Sequence, residues 1–141
     1  MTTLLSIILF LIFLILSGLH IYWLFGGLWG LKNVIPSKGS EPISITIPRL
    51  ATIIVALALL FFGLIYLNEA EIFTFHLKFW FAQYVMWFIP SIFLLRAIGE
   101  FNYVGIFKKI KHTTFAQTDN RVFIPLCLCL SFIGYIIQLI S

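Results

Sequence analysis

Four long apolar runs, separated by three stretches that hold most of the charge, set the pattern of this 141-residue chain. They cover residues 4–28, 50–67, 73–98 and 122–140. A helix rises about 1.5 Å per residue, so roughly 17–25 apolar residues cross the hydrocarbon layer. Each run is therefore read as one transmembrane helix. Pro48 opens the second, and Asn68, Glu69 and Glu71 give it a polar stop. Pro90 interrupts the third, and Pro125 sits in the first turn of the fourth, where a missing N–H is tolerated.

The connections differ in kind. Residues 29–49 are rich in Pro, Ser and Gly, whereas only 68–72 separate the second and third runs, which predicts a tight antiparallel hairpin of helices two and three. The third connection, 99–121, carries FNYVGIFKKIKHTTF, in which Lys108, Lys109 and Lys111 interleave with aromatic and aliphatic residues. Such a mixture suits a segment lying at the membrane surface among the headgroups. The expected fold is all-α: a single domain over 1–141, a polytopic four-helix membrane bundle with a basic interfacial segment between helices three and four. No internal repeat is visible.

Composition excludes the soluble alternative. With 62% hydrophobic and 10% charged residues, a chain this short could not cover a water-facing surface. The lipid bilayer is the partner that fits. The net charge of +4 comes from only nine basic residues, which mark topology and give no nucleic-acid patch. Lys32, Lys38, Arg49, Arg96, Lys108, Lys109, Lys111 and Arg121 fall on the side of the first and third connections, against Lys78 alone on the other. By the positive-inside rule, 29–49 and 99–121 are cytoplasmic and both termini face away from the cytoplasm; the cell (inner) membrane is the expected location. Residues 1–17 lack the basic start of a secretory signal, and their apolar run continues too far, so they are read as part of a retained helix.

Candidate chemistry gathers on the cytoplasmic side. His20, Trp23 and Gly27 recur at three- and four-residue spacing, while Gly26 and Gly30 form a small-xxx-small pair for helix packing. Interfacial anchoring explains Tyr22, Trp23 and Trp29 equally well. An imidazole at depth needs a partner, which a backbone carbonyl or a Tyr hydroxyl could supply, or else it marks a functional position. Helix three presents Trp80, Gln83, Tyr84, Trp87 and Ser91 as a stripe suited to interhelical hydrogen bonds or to a cavity. Arg96 and Glu100 lie one turn apart near its end and can pair, snorkel or face the bundle. With His20, Trp23, Tyr103 and Asp119 at comparable depth, they form a candidate ligand-binding cluster.

Other signals are weak or missing. One histidine at depth does not make a metal site, and no cofactor is assigned. Cys127 and Cys129 stand about 200° apart around a helix and read as small apolar residues. Phosphate-loop, nucleophile-elbow, HExxH, CxxC and dinucleotide motifs are absent from the sequence.

HIYWLFGGLWG at 20–30, Pro36, and FLLRAIGEFNYVGIFKKIKHTTFAQTDNRVFIPLCL at 93–128 resemble the two signature blocks of a bacterial membrane-protein family catalogued as domain of unknown function 3995. The resemblance spans nearly the whole chain. It implies a four-helix membrane protein and no particular reaction. The positions that match the family pattern are His20, Trp23, Gly27, Trp29, Arg96, Gly99, Glu100, Tyr103, Asp119 and Pro125; many members carry Asp in place of Glu100, which keeps the carboxylate.

Three functions follow as expectations. The first is binding, with or without transport, of a lipid headgroup or small amphiphile in a cytoplasmic-side pocket between helices one and three. The second is an accessory subunit or homo-oligomer that uses the helix-one glycines and the basic connection to dock a membrane partner. The third is a small membrane enzyme with His20 or Glu100 as base.

Overall fold

The computed structural model describes residues 1–27, 49–99 and 117–141. These contain four helices long and apolar enough to span a membrane: α1 (Thr2–Leu24), α2 (Arg49–Glu69), α3 (Phe79–Ile98), and α4 (Ile124–Ile140), which continues a π-helical turn at Asp119–Phe123 so that the fourth span is Asn120–Ile140. No strand occurs among the described residues. The chain is an all-α, multi-pass membrane protein.

Each boundary has a local cause. The apolar run would carry α1 to residue 28, but Gly26 adopts φ +95°, a conformation that costs glycine little and other residues much. Its N–H donates to Trp23 O at 3.1 Å and that of Gly27 to Tyr22 O at 3.0 Å. This is the paired bonding of a Schellman motif, which ends the helix at Leu24. Gly26 and Gly27 thus lie beyond the helix, so the expected helical small-xxx-small face does not extend to Gly26; Gly30 is outside the described residues. α3 begins six residues later than expected, at Phe79. Before it, the Phe75 N–H donates to the Asn68 side-chain oxygen at 2.6 Å, tying the non-helical segment back to the end of α2.

Packing corrects the predicted hairpin. α1 packs closely on α2, and α3 on α4, whereas α2 and α3 touch sparingly despite being neighbours in sequence. Residues 70–78 give the chain enough length to leave one pair and start the other. Between α1 and α2, Ser17 Oγ donates to Ala56 O at 2.8 Å, and a Cβ at Gly63 would stand 3.3 Å from that of Phe13. Between α3 and α4, Ser91 Oγ and Tyr135 OH are 2.8 Å apart, and Pro90 lies against Gly134. Ser91 Oγ also donates to Trp87 O at 2.7 Å, so the Tyr135 hydroxyl is the donor in the interhelical bond.

The two pairs join through a core of Leu9, Phe13, Tyr66, Met86, Ile89 and Ile137. The Phe62 ring bridges α2 and α3, with centroids 6.4 Å from Phe88 and 6.3 Å from Phe93. Polar Ser6, Ser17, Thr52 and Ser131 are buried, while Leu4, Ile15, Leu57, Leu95 and Phe132 are exposed. Small polar residues inside and large apolar ones outside suit helices that associate in lipid.

Two buried hydroxyls, those of Ser6 and Tyr66, have no hydrogen-bond partner among the described residues. Tyr66 is the larger and is wholly buried. An orphaned hydroxyl costs roughly 1–3 kcal/mol relative to a satisfied one. Tyr66→Phe is accordingly expected to leave thermal unfolding in detergent unchanged or to raise its midpoint, whereas a lowered midpoint would reveal a partner.

Candidate functional site

The ends of α1 and α3 and the turn before α4 hold the described members of the predicted cluster. His20 lies in the penultimate turn of α1, half-buried. Its Nδ1 is 2.7 Å from Leu16 O, and because a carbonyl can only accept, Nδ1 carries the proton and Nε2 is the acceptor. The backbone partner that a buried imidazole requires is therefore present within α1 itself. Trp23 sits one turn on, edge-to-face with His20 at a centroid separation of 5.2 Å. The helix-end turn then folds back, bringing Gly27 against the Tyr22 ring.

Arg96 is the basic residue in the last turn of α3, where the partial negative charge of the helix end favours a cation. Its side chain is half-buried, and its guanidinium carbon lies 6.0 Å from the centre of the Phe123 ring. Gly99 closes the helix at φ +84°, donating its N–H to Leu95 O at 2.8 Å. Phe123 is brought under Arg96 by the π-helical turn. Pro125, two residues later, has no N–H to offer Arg121 O, and its ring displaces that carbonyl. A wider turn accommodates both effects, and π-type turns recur at functional sites.

The structure therefore brings together His20 with Trp23, and Arg96 with Phe123. Phe123 carries no chemistry in the sequence pattern, and the local signal for it is its place two residues before Pro125. Glu100, Tyr103, Lys108, Lys109 and Lys111 lie outside the described residues, as does the side chain of Asp119, whose backbone opens the π-helical turn. Among the described residues no group of three His, Cys, Asp or Glu side chains is arranged to hold a metal.

The helix-three stripe divides. Trp87 and Ser91 serve packing, the indole lying 5.8 Å from the Tyr135 ring and Ser91 bonding that residue's hydroxyl. Trp80, Gln83 and Tyr84 line open pockets toward the opposite end of the bundle, one of which Trp87 also borders. The sequence allowed this stripe a cavity, and open pockets lie along its first half; what the sequence reading missed there is Glu69, a carboxylate directly at the end of an apolar run that was read only as a polar stop.

No curated protein and no solved structure matches the chain. The model of a family described as protein of unknown function (DUF3995) matches residues 13–133. That match contains α2, α3 and every described member of the cluster, and the chain belongs to this family.

Proposed function

We propose that the protein binds the anionic headgroup of a membrane lipid or small amphiphile at the end of the bundle where Arg96 and the His20–Trp23 pair lie. The observation that carries this reading is the seat of Arg96. A half-buried guanidinium resting on an aromatic face keeps its fork of N–H donors in a fixed plane, which suits bidentate recognition of a phosphate. The neighbouring connection supplies Lys108, Lys109 and Lys111, which would concentrate anionic lipid at the same surface. His20 Nε2 adds an acceptor for a headgroup hydroxyl, and Trp23 an apolar wall with a polar edge. Glu100, Tyr103 and Asp119 complete the proposed cluster. In this reading the connections 29–49 and 99–121 face the cytoplasm of a bacterial cell, and the ligand belongs to the inner leaflet of its inner membrane.

Native mass spectrometry of the full chain with phosphatidylglycerol tests the proposal. Wild type is expected to retain the lipid, and Arg96→Gln to weaken retention about tenfold, or roughly 1.4 kcal/mol, with helical content unchanged. Equal retention by the variant would overturn the assignment of Arg96.

A further inference from the structure

The opposite end of the bundle carries a second arrangement with different chemistry. There the last turns of α2 and α4 and the first turn of α3 border an open pocket of about 410 Å³. Its polar wall is formed by Asn68, Glu69, Gln83, Gln138 and Ser141. Glu69 is the sole formally charged side chain on that wall among the described residues. It is half-buried and makes no ion pair among the described residues, where Lys78 is exposed. The Asn68 side-chain oxygen is engaged by the Phe75 N–H, which leaves the NH₂ of that amide for other partners.

Electrostatics make this pocket negative. Glu69 is the last residue of α2, a position where the helix dipole disfavours a carboxylate. Two helix C-termini and one N-terminus meet there, so the dipoles add roughly half a negative charge to that of the carboxylate. A carboxylate placed against its own helix dipole is stabilised by a positive group from outside, and among the described residues no cation lines the pocket. Aromatic rings line a second pocket that shares Gln83 with the first. Its volume is about 330 Å³, and its other walls are Trp80, Tyr84 and Trp87. The rings of Trp80 and Tyr84 meet edge-to-face at 6.2 Å. Indole and phenol faces attract cations, alkylated ammonium groups above all.

We infer that these two pockets, which share Gln83 as a wall, together bind an organic ammonium group, with the charge held by Glu69 and the carbon substituents lying against Trp80 and Tyr84. The ammonium comes either from the headgroup of a membrane amphiphile or from a free amine in the aqueous phase. This site is separate from the Arg96 end, takes the opposite charge, and stands or falls independently of it.

Titrating the purified full chain in neutral detergent with tetramethylammonium chloride, followed by tryptophan fluorescence against potassium chloride at equal ionic strength, tests the inference. A saturable change is expected, with Glu69→Gln raising Kd at least tenfold. Trp80→Leu, an exposed position that the fold does not depend on, should raise it at least threefold, circular dichroism remaining that of wild type. A response no different from potassium chloride, or a wild-type Kd in both variants, would overturn the site. Native mass spectrometry in nanodiscs containing phosphatidylethanolamine separates the sources. Glu69-dependent retention of that lipid identifies a headgroup amine, whereas saturation by tetramethylammonium with retention independent of Glu69 identifies a free amine. Retention of phosphatidylglycerol is read separately through Arg96→Gln.

Discussion

Gly134→Leu is expected to destabilise the bundle by about 3 kcal/mol or more, the upper end of what overpacking a tight core costs. Even the first added carbon would lie 2.9 Å from the Tyr66 hydroxyl and 3.0 Å from Pro90 Cβ. Neither neighbour can give way: Tyr66 is wholly buried between Phe13 and α4, and Pro90 is a rigid ring within α3. α4 would have to retreat, breaking the bond between Ser91 and Tyr135 and the core contacts of Ile137. Unfolding of the variant in a denaturing-detergent titration should begin well below the wild-type midpoint. Gly134→Ala should show the same loss in smaller measure, and Tyr66→Phe should return part of it by removing the nearer atom. Contacting residues couple in this way, whereas independent sites add.

Phe13→Ala is the second large effect, expected at about 3 kcal/mol. Phe13 is 1% exposed and stacks on Tyr66 at 5.9 Å, meets Phe62 edge-on at 6.1 Å, and lies 5.4 Å from Phe93. It therefore ties α1 to both α2 and α3. In lipid the transfer of apolar surface contributes little, because the unpacked side chain is also in a hydrocarbon solvent. What remains is the cavity, about 100 Å³ at ~24 cal/mol per Å³, together with the lost ring pairs. The same titration reads it, and a loss below about 1 kcal/mol would mean that the core closes over the space.

Much of the fold was legible because lipid imposes one simple rule: a crossing needs an unbroken apolar helix, and four runs were long enough. The helix ends were less legible. The first helix stops at Leu24 although the apolar run continues to Leu28, because Gly26 takes a conformation that hydropathy cannot register. The delayed start of α3 was written in residues 73–78, where Phe73, Phe75 and Leu77 alternate with Thr74, His76 and Lys78. That two-residue period belongs to extended chain, and an average over hydropathy conceals it.

Pairing was harder still. A short connection suggested that α2 and α3 pack as a hairpin, yet connection length limits separation without choosing partners. The closest packing follows small residues instead, Gly63 under Phe13 and Gly134 under Pro90. At the candidate site, spacing placed His20 and Trp23 together correctly, since both lie on one helix a turn apart. It could not find Phe123 beneath Arg96, a contact between separate elements that depends on a π-helical turn. Nor could it find the pocket around Glu69, whose walls come from three helices.

Placing the Arg96 end and the Glu69 pocket on opposite faces of the membrane depends on four crossings, and site-directed labelling of single cysteines tests that most directly. With Cys127 and Cys129 replaced by serine, cysteines are introduced singly at Lys38, Glu71, Lys109 and Ser141, and a membrane-impermeant maleimide is applied to intact cells and to inverted vesicles. Positions 71 and 141 should label from outside the cell, and positions 38 and 109 only from the cytoplasmic side. Labelling of 38 and 71 from the same side would contradict the four-crossing bundle.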